Sequence, residues 1–197
     1  MRPDSRTQPE YVAAFRMLAA RIAAALADVP AEALPVRMYV AGGAALHFYT
    51  GDRVSVDVDA VFSRRIALPD GLEVAYRDPE GAARLLYFDR QYNDALGLMH
   101  EDAQQDSNQL ALDGIDPRVL EVRILAPADL AVSKLDRFSE QDRRDIASLA
   151  RRGLVTPAEL QVRATEALAG YVGDTMRVRG HLATAVRLIA SETGQRS

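Results

Sequence analysis

The chain has 197 residues, 48% of them apolar, and a formal net charge of −4. That length suits one domain, or a catalytic core with a small helical extension. The absence of cysteine rules out disulfides and thiolate-held zinc or iron–sulfur sites, and the negative charge argues against a general nucleic-acid coat protein.

The first ten residues are polar, and the run Ile22 to Ala27 is too short to span a bilayer. A cytoplasmic protein without membrane association is expected. Residues 9–28 predict an amphipathic helix. Pro9 suits its start, and Tyr11, Phe15, Leu18, Ile22 and Leu26 recur at helical spacing. Pro30 to Pro35 reads as a linker. Met38 to Gly43 predicts a short strand entering a glycine turn, followed by a helix over Ala44 to Tyr49 that Gly51 closes.

Val54 to Phe62 alternates apolar and polar residues and is rich in β-branched ones, which predicts one strand with two unlike faces. Further strands are expected at 72–77, 85–91, 95–101 and 119–124. From Ala126 the pattern becomes helical. Pro127 opens a helix to about Phe138, and Ser139-Glu-Gln-Asp142 caps a second that stops before Gly153. Thr156-Pro-Ala-Glu159 caps a third ending near Gly170, and a fourth covers 174–191. The fold class is α+β. Residues 1–125 form an α/β core with an N-terminal helix, and residues 126–197 form a helical part packed on it.

Charge is uneven along the chain. Residues 143–197 hold nine Arg against five Asp or Glu, a local +4 that leaves −8 elsewhere. An acidic half beside a mildly basic helical tail suits an enzyme that holds metal ions and touches a polyanion, although an ordinary solvated tail has the same charge pattern. The cations are 23 Arg and one Lys, Lys134. A position that keeps an ammonium in such a chain is a candidate for a compact point charge.

The central constellation is Gly42-Gly43 followed by Asp57-x-Asp59. On an extended strand these two aspartates project from one face. Carboxylates that close repel unless a cation lies between them, and hard cations such as Mg²⁺ favour oxygen ligands together with substrate phosphates. The glycines at a strand-to-helix turn let backbone approach a ligand and put helix N–H groups before an anion. Taken singly, a glycine pair is an ordinary turn and Asp-x-Asp an ordinary solvated face. Leu130, Lys134 and Arg137 share one helical face, and Asp142, Asp145, Ile146 and Leu149 share another. Lys134 and Asp145 therefore sit among core-facing residues, either as functional groups or as a buried pair stapling two helices. Asp142 has a second reading as a helix cap.

Val40-Ala-Gly-Gly-Ala44 and Arg53-Val-Ser-Val-Asp-Val-Asp59 resemble the signature of the DNA polymerase β-like nucleotidyltransferase superfamily, in the flavour of the AbiEii/MenT-like toxins. Pro127 to Arg137 and Asp142-Arg-Arg-Asp145 resemble the Lys-x-x-x-Arg and Asp-x-x-Asp region of those proteins. The resemblance implies a minimal nucleotidyltransferase fold with a C-terminal helical extension, and Mg²⁺ or Mn²⁺ on Asp57 and Asp59. It implies nucleotide binding by Gly42, Gly43, Arg53, Ser55, Lys134 and Arg137, with Asp57, Asp59, Lys134 and Asp145 catalytic. Its substrate would be a nucleoside triphosphate, its acceptor a tRNA or other RNA end, and its partner a cognate antitoxin. Larger relatives carry a third carboxylate on a neighbouring strand; Glu101, Asp102 and Glu121 are the candidates here. The rival function is a degenerate nucleotidyltransferase-fold protein that acts as a binding partner or antitoxin.

Overall fold

The structure, a computed structural model, describes residues 1–93 and 97–194. It divides into two compact units, residues 1–92 with 107–124, and residues 93–106 with 125–197. The segment 93–106, on the core side of the expected division at residue 125, clusters with the helices. No helix among the described residues is long and apolar enough to cross a membrane.

The first unit holds α1 (Pro9–Ala24), α2 (Gly42–Thr50) and seven short strands. These are β1 (Val36–Val40), β2 (Asp57–Val58), β3 (Ala60–Phe62), β4 (Glu73–Arg77), β5 (Ala83–Phe88), β6 (Asn108–Gln109) and β7 (Leu120–Ile124). One sheet has the order β3-β1-β7-β6 and the other β2-β5-β4. β1 and β7 are parallel, with Val36 opposite Leu120 and Val40 opposite Ile124, and all four of these side chains are fully buried. β3 and β6 flank that pair antiparallel.

α1 buries Tyr11, Phe15, Leu18 and Ile22, and Phe15 meets Phe48 of α2 edge-on at 4.8 Å. It stops at Ala24, short of the expected residue 28. The bonds from Leu26 to Ala23 and from Ala27 to Ala24 span only three residues, so the chain tightens into turns before Pro30. The expected linker includes a 3₁₀ turn at Ala31–Ala33.

The segment expected as one strand, Val54 to Phe62, changes partners at Asp59. On one side Val58 accepts the N–H of Asp89, and β2 pairs with β5. On the other, the carbonyl of Asp59 accepts the N–H of Ala41 at 2.8 Å, and β3 pairs with β1. One alternating pattern thus serves two sheets. The strand expected at 85–91 ends at Phe88, where Oδ1 of Asp89 accepts the N–H of Gln91 in a turn. Of the strand expected at 95–101, residues 95 and 96 lie outside the described residues, and 97–101 are not strand.

The second unit holds α3 (Pro127–Val132), α4 (Glu140–Arg151), α5 (Pro157–Ala169) and α6 (Thr175–Gly194). Capping boxes start α4 at Ser139 and α5 at Thr156. α3 is shorter than expected. Lys134 and Leu135 donate to carbonyls three residues back, and Phe138 turns left-handed at φ 48°. Arg163 on α5 binds Asp129 of α3 and Asp106, tying Asp106 to the helices.

Candidate active site

The glycines and aspartates come together at the end of β1. Gly42 and Gly43 are the first two residues of α2 rather than a turn ahead of it. Gly42 has φ +59°, a conformation costly for any residue with a Cβ. A Cβ there would lie 2.0 Å from Oδ2 of Asp59. The missing side chain is therefore what lets the carboxylate rest against the helix start. A Cβ on Gly43 would lie 2.8 Å from Cβ and Oγ of Ser55 and 2.9 Å from a guanidinium nitrogen of Arg53. Ser55 donates a short hydrogen bond to Oδ1 of Asp57. Gly42, Gly43, Arg53, Ser55, Asp57 and Asp59 thus form one cluster. Asp57 and Asp59 are half-buried on either side of the fully buried Val58.

His47 of α2 holds the approach to this cluster. Its Nε2 accepts the N–H of Gln8 at 3.0 Å, so Nδ1 carries the proton and donates to the carbonyl of Arg53 at 2.8 Å. Burial lowers the imidazole's pKa, against the opposing pull of that carbonyl and of Asp52. The neutral ring is a fixed brace rather than a base.

The remaining expected residues form a second cluster inside the helical unit. Nζ of Lys134 lies 2.6 Å from Oδ2 of Asp145 and 3.9 Å from Oδ1 of Asp142. The three side chains are all but inaccessible, Lys134 at 6% exposed and each aspartate at 1%. Arg137 clamps Asp142 with two bonds of 2.8 and 2.7 Å. Asp142 also accepts the N–H of Ser139, completing the cap of α4. Burial pushes the Asp142 carboxyl up, but hydrogen bonds from Arg137 and Ser139 and the charge of Lys134 outweigh it, leaving a pKa of about 2.

Of the three candidates for a further carboxylate, Glu101 and Asp102 are exposed residues of the second unit, and only Glu121 belongs to the same unit as the aspartate pair. Glu121 is opposite Arg37 on β1 and ion-pairs with Arg37 and Arg123. Asp59 is level with Ala41, four positions further along β1. At roughly 3.3 Å per strand residue that is a separation of about 13 Å.

Sheet register supplies a residue that sequence reasoning missed. Asp57 is opposite Tyr87 and Val58 opposite Phe88, so the next step sets Asp89 beside Asp59. The N–H of Asp89 donates to Val58 at 3.1 Å. Its carboxylate is turned to the N–H of Gln91, and among the described residues no three His, Cys, Asp or Glu side chains converge on a metal position. Tyr11 was also missed as a polar group. Its hydroxyl is buried, and burial first, then Tyr76 and Asp57, drive its pKa upward against the opposing effect of the Ser55 backbone.

Mixed sheets with flanking helices, and a glycine-led helix packed against Asp-x-Asp, define a protein with a nucleotidyltransferase-like fold. The family model described as "nucleotidyltransferase of unknown function (DUF6036)" matches residues 20–177, and the chain belongs to that family. No curated protein matches the chain in sequence.

Proposed function

We propose that this protein moves a nucleoside monophosphate from a nucleoside triphosphate to an acceptor hydroxyl, using the cluster around Gly42, Asp57 and Asp59. The observation that carries this reading is the contact between Gly42 and Asp59, which brings a carboxylate against the start of a nine-residue helix. A helix N-terminus favours phosphate, and a carboxylate favours a cation, so their apposition suits a phosphate–cation pair.

The donor set fits Mg²⁺ or Mn²⁺. Two half-buried carboxylates suit an ion that takes one or two protein oxygens and completes its shell with water and phosphate. Asp57 and Asp59 would hold it, and when bound it would supply charge neutralisation at the phosphates. Gly42 and Gly43 admit the β- and γ-phosphates to the helix start. Ser55 orients Asp57, and Arg53 stands beside Gly43 for the phosphate charge. In the reaction the acceptor oxygen bonds to the α-phosphorus as the bond to the pyrophosphate oxygen breaks. Pyrophosphate leaves with the electron pair, and the hydroxyl proton passes to solvent.

Of the two readings open for Lys134 and Asp145, we adopt the buried pair that staples two helices. Each is sealed in the helical unit with the other as partner, and we assign them to holding the turn after α3 against α4. The reading does not draw on them for phosphate binding. For the acceptor an RNA end is favoured, and a toxin role with a cognate antitoxin follows from the resemblance to AbiEii/MenT-like proteins. Two arginines of the basic tail, Arg163 and Arg177, are bound to Asp129 and Asp106 and to Asp136, so they do not support the acceptor.

The second reading is a non-catalytic nucleotide-binding partner or antitoxin, favoured by the lack of a converged third carboxylate among the described residues. One experiment separates the two. The protein is incubated with each α-labelled triphosphate, Mg²⁺, and total cellular RNA and protein. Labelled product that disappears in Asp57→Asn supports transfer, and its size gives the acceptor class. Thermal stabilisation by triphosphate and Mg²⁺ without any labelled product supports the binding reading.

A further inference from the structure

The carboxylate strand has two flanks. At one, Asp59 touches the glycines at the end of β1. At the other, Asp57 is directly opposite Tyr87 of β5, and Tyr87 is opposite Glu73 of β4. Residues opposite one another in a sheet share a face, so Asp57, Tyr87 and Glu73 form a row at strand spacings of about 4.8 Å. Leu85 follows Tyr87 on the same face. Tyr87 is 39% exposed and Leu85 47%, an aromatic and an aliphatic side chain left to solvent beside a proposed metal ligand. They line a cleft of about 370 Å³ with Glu73, Asp70, Leu72 and Arg90.

We infer that this cleft is the acceptor subsite and that it takes a nucleobase, stacked on Tyr87, from the nucleotide bearing the attacking hydroxyl. The inference rests on the transfer reaction proposed above. In-line displacement puts the attacking and leaving oxygens on opposite sides of the phosphorus. The leaving pyrophosphate belongs with the glycines at Asp59, so the attacking group arrives from the flank of Asp57 and Tyr87. Aromatic faces stack any base, and carboxylates at the rim accept from base N–H and amino groups. Asp70 and Glu73 supply those acceptors, which favours a base that presents N–H donors over an apolar group.

The chain has no tryptophan, so Tyr87→Trp installs a single fluorescent reporter at an exposed position. The four nucleoside 5′-monophosphates are titrated in EDTA, with ribose 5-phosphate as the base-free control. Saturable quenching by one or more monophosphates and none by ribose 5-phosphate is expected. The quenching should persist with Mg²⁺ and a saturating triphosphate whose α–β link cannot be cleaved. In the otherwise wild-type chain, Tyr87→Ala should weaken monophosphate binding about tenfold, the scale of one lost base stack, and Tyr87→Phe should restore it. No quenching, or equal quenching by ribose 5-phosphate, overturns the subsite. Displacement by the triphosphate analogue overturns its assignment to the acceptor. Label transfer by the parent chain, assayed beside the quenching, separates the two readings. Quenching in a protein whose parent transfers no label leaves the base site standing while transfer fails. Transfer by the parent without any quenching leaves transfer standing while the base site fails.

Discussion

Nζ of Lys134 and Oδ2 of Asp145 are 2.6 Å apart, and neither side chain has appreciable access to solvent. Removing one member of a buried pair strands the other charge, a loss of roughly 3–5 kcal/mol, whereas replacing both by apolar groups of similar volume is often near neutral. Lys134→Met and Asp145→Leu should each lower the urea midpoint sharply. The double variant should recover much of the loss, although Asp142 at 3.9 Å keeps the recovery incomplete. If the folded double variant keeps its nucleotide response, the pair is structural. If it folds and loses that response, Lys134 belongs to the phosphate site after all.

Gly42→Ala should damage the site more than the fold. The backbone there has φ +59°, and the new methyl would lie 2.0 Å from Oδ2 of Asp59. Left-handed backbone alone costs an alanine about 1 kcal/mol. Gly114→Ala isolates that component, since Gly114 has φ +80° with nothing within 4 Å of its added Cβ. Both variants should lose similar backbone stability. Only Gly42→Ala should also lose stabilisation by triphosphate with Mg²⁺ in a thermal shift assay, because only there must a carboxylate move.

Local chemistry made much of this architecture legible. Thr156 and Glu159 announce α5 through a capping box that needs no tertiary information, and Ser139 and Asp142 do the same for α4. The alternation of Val54 to Phe62 foretold extended chain but not its change of sheets, because the pattern is the same whether the neighbour is β1 or β5. β6 has two residues, too few for any periodicity. The cluster of Gly42 with Asp59 was readable as a motif. Asp89 was not, because only the pairing of β2 with β5 makes it a neighbour of Asp59. The same pairing brings Tyr87 to Asp57, and no spacing along the chain signals it.

Asp142 should give the protein a distinct acid limb. Its folded pKa of about 2 lies below the ordinary carboxylate value of 3.8. A depressed pKa contributes stability that is fully present above the unfolded value and is lost as pH falls through the folded one. The window is therefore about pH 4 down to about pH 2, and the contribution is about 2 kcal/mol at 1.36 kcal/mol per unit. Asp142→Asn should be less stable than wild type at pH 6 and show a shallower fall across that window. Urea midpoints measured every half unit check both. Parallel curves for the two proteins would assign the acid limb to other carboxylates.

Asp89 tests whether the site is complete. Register places it beside Asp59, yet its carboxylate serves as acceptor for the N–H of Gln91 at 2.8 Å. A carboxylate on the strand next to an aspartate pair is well placed to swing toward a cation that the pair holds, and that turn hydrogen bond is the small cost of doing so. Asn keeps an oxygen for Gln91 while removing the charge. Asp89→Asn should therefore leave the thermal midpoint close to wild type. It should lower label transfer by about a hundredfold, the scale of one lost preorganised electrostatic group, and raise the Mg²⁺ concentration needed for half-maximal transfer. A variant that transfers label at the wild-type rate with an unchanged Mg²⁺ requirement would confine the metal chemistry to Asp57 and Asp59.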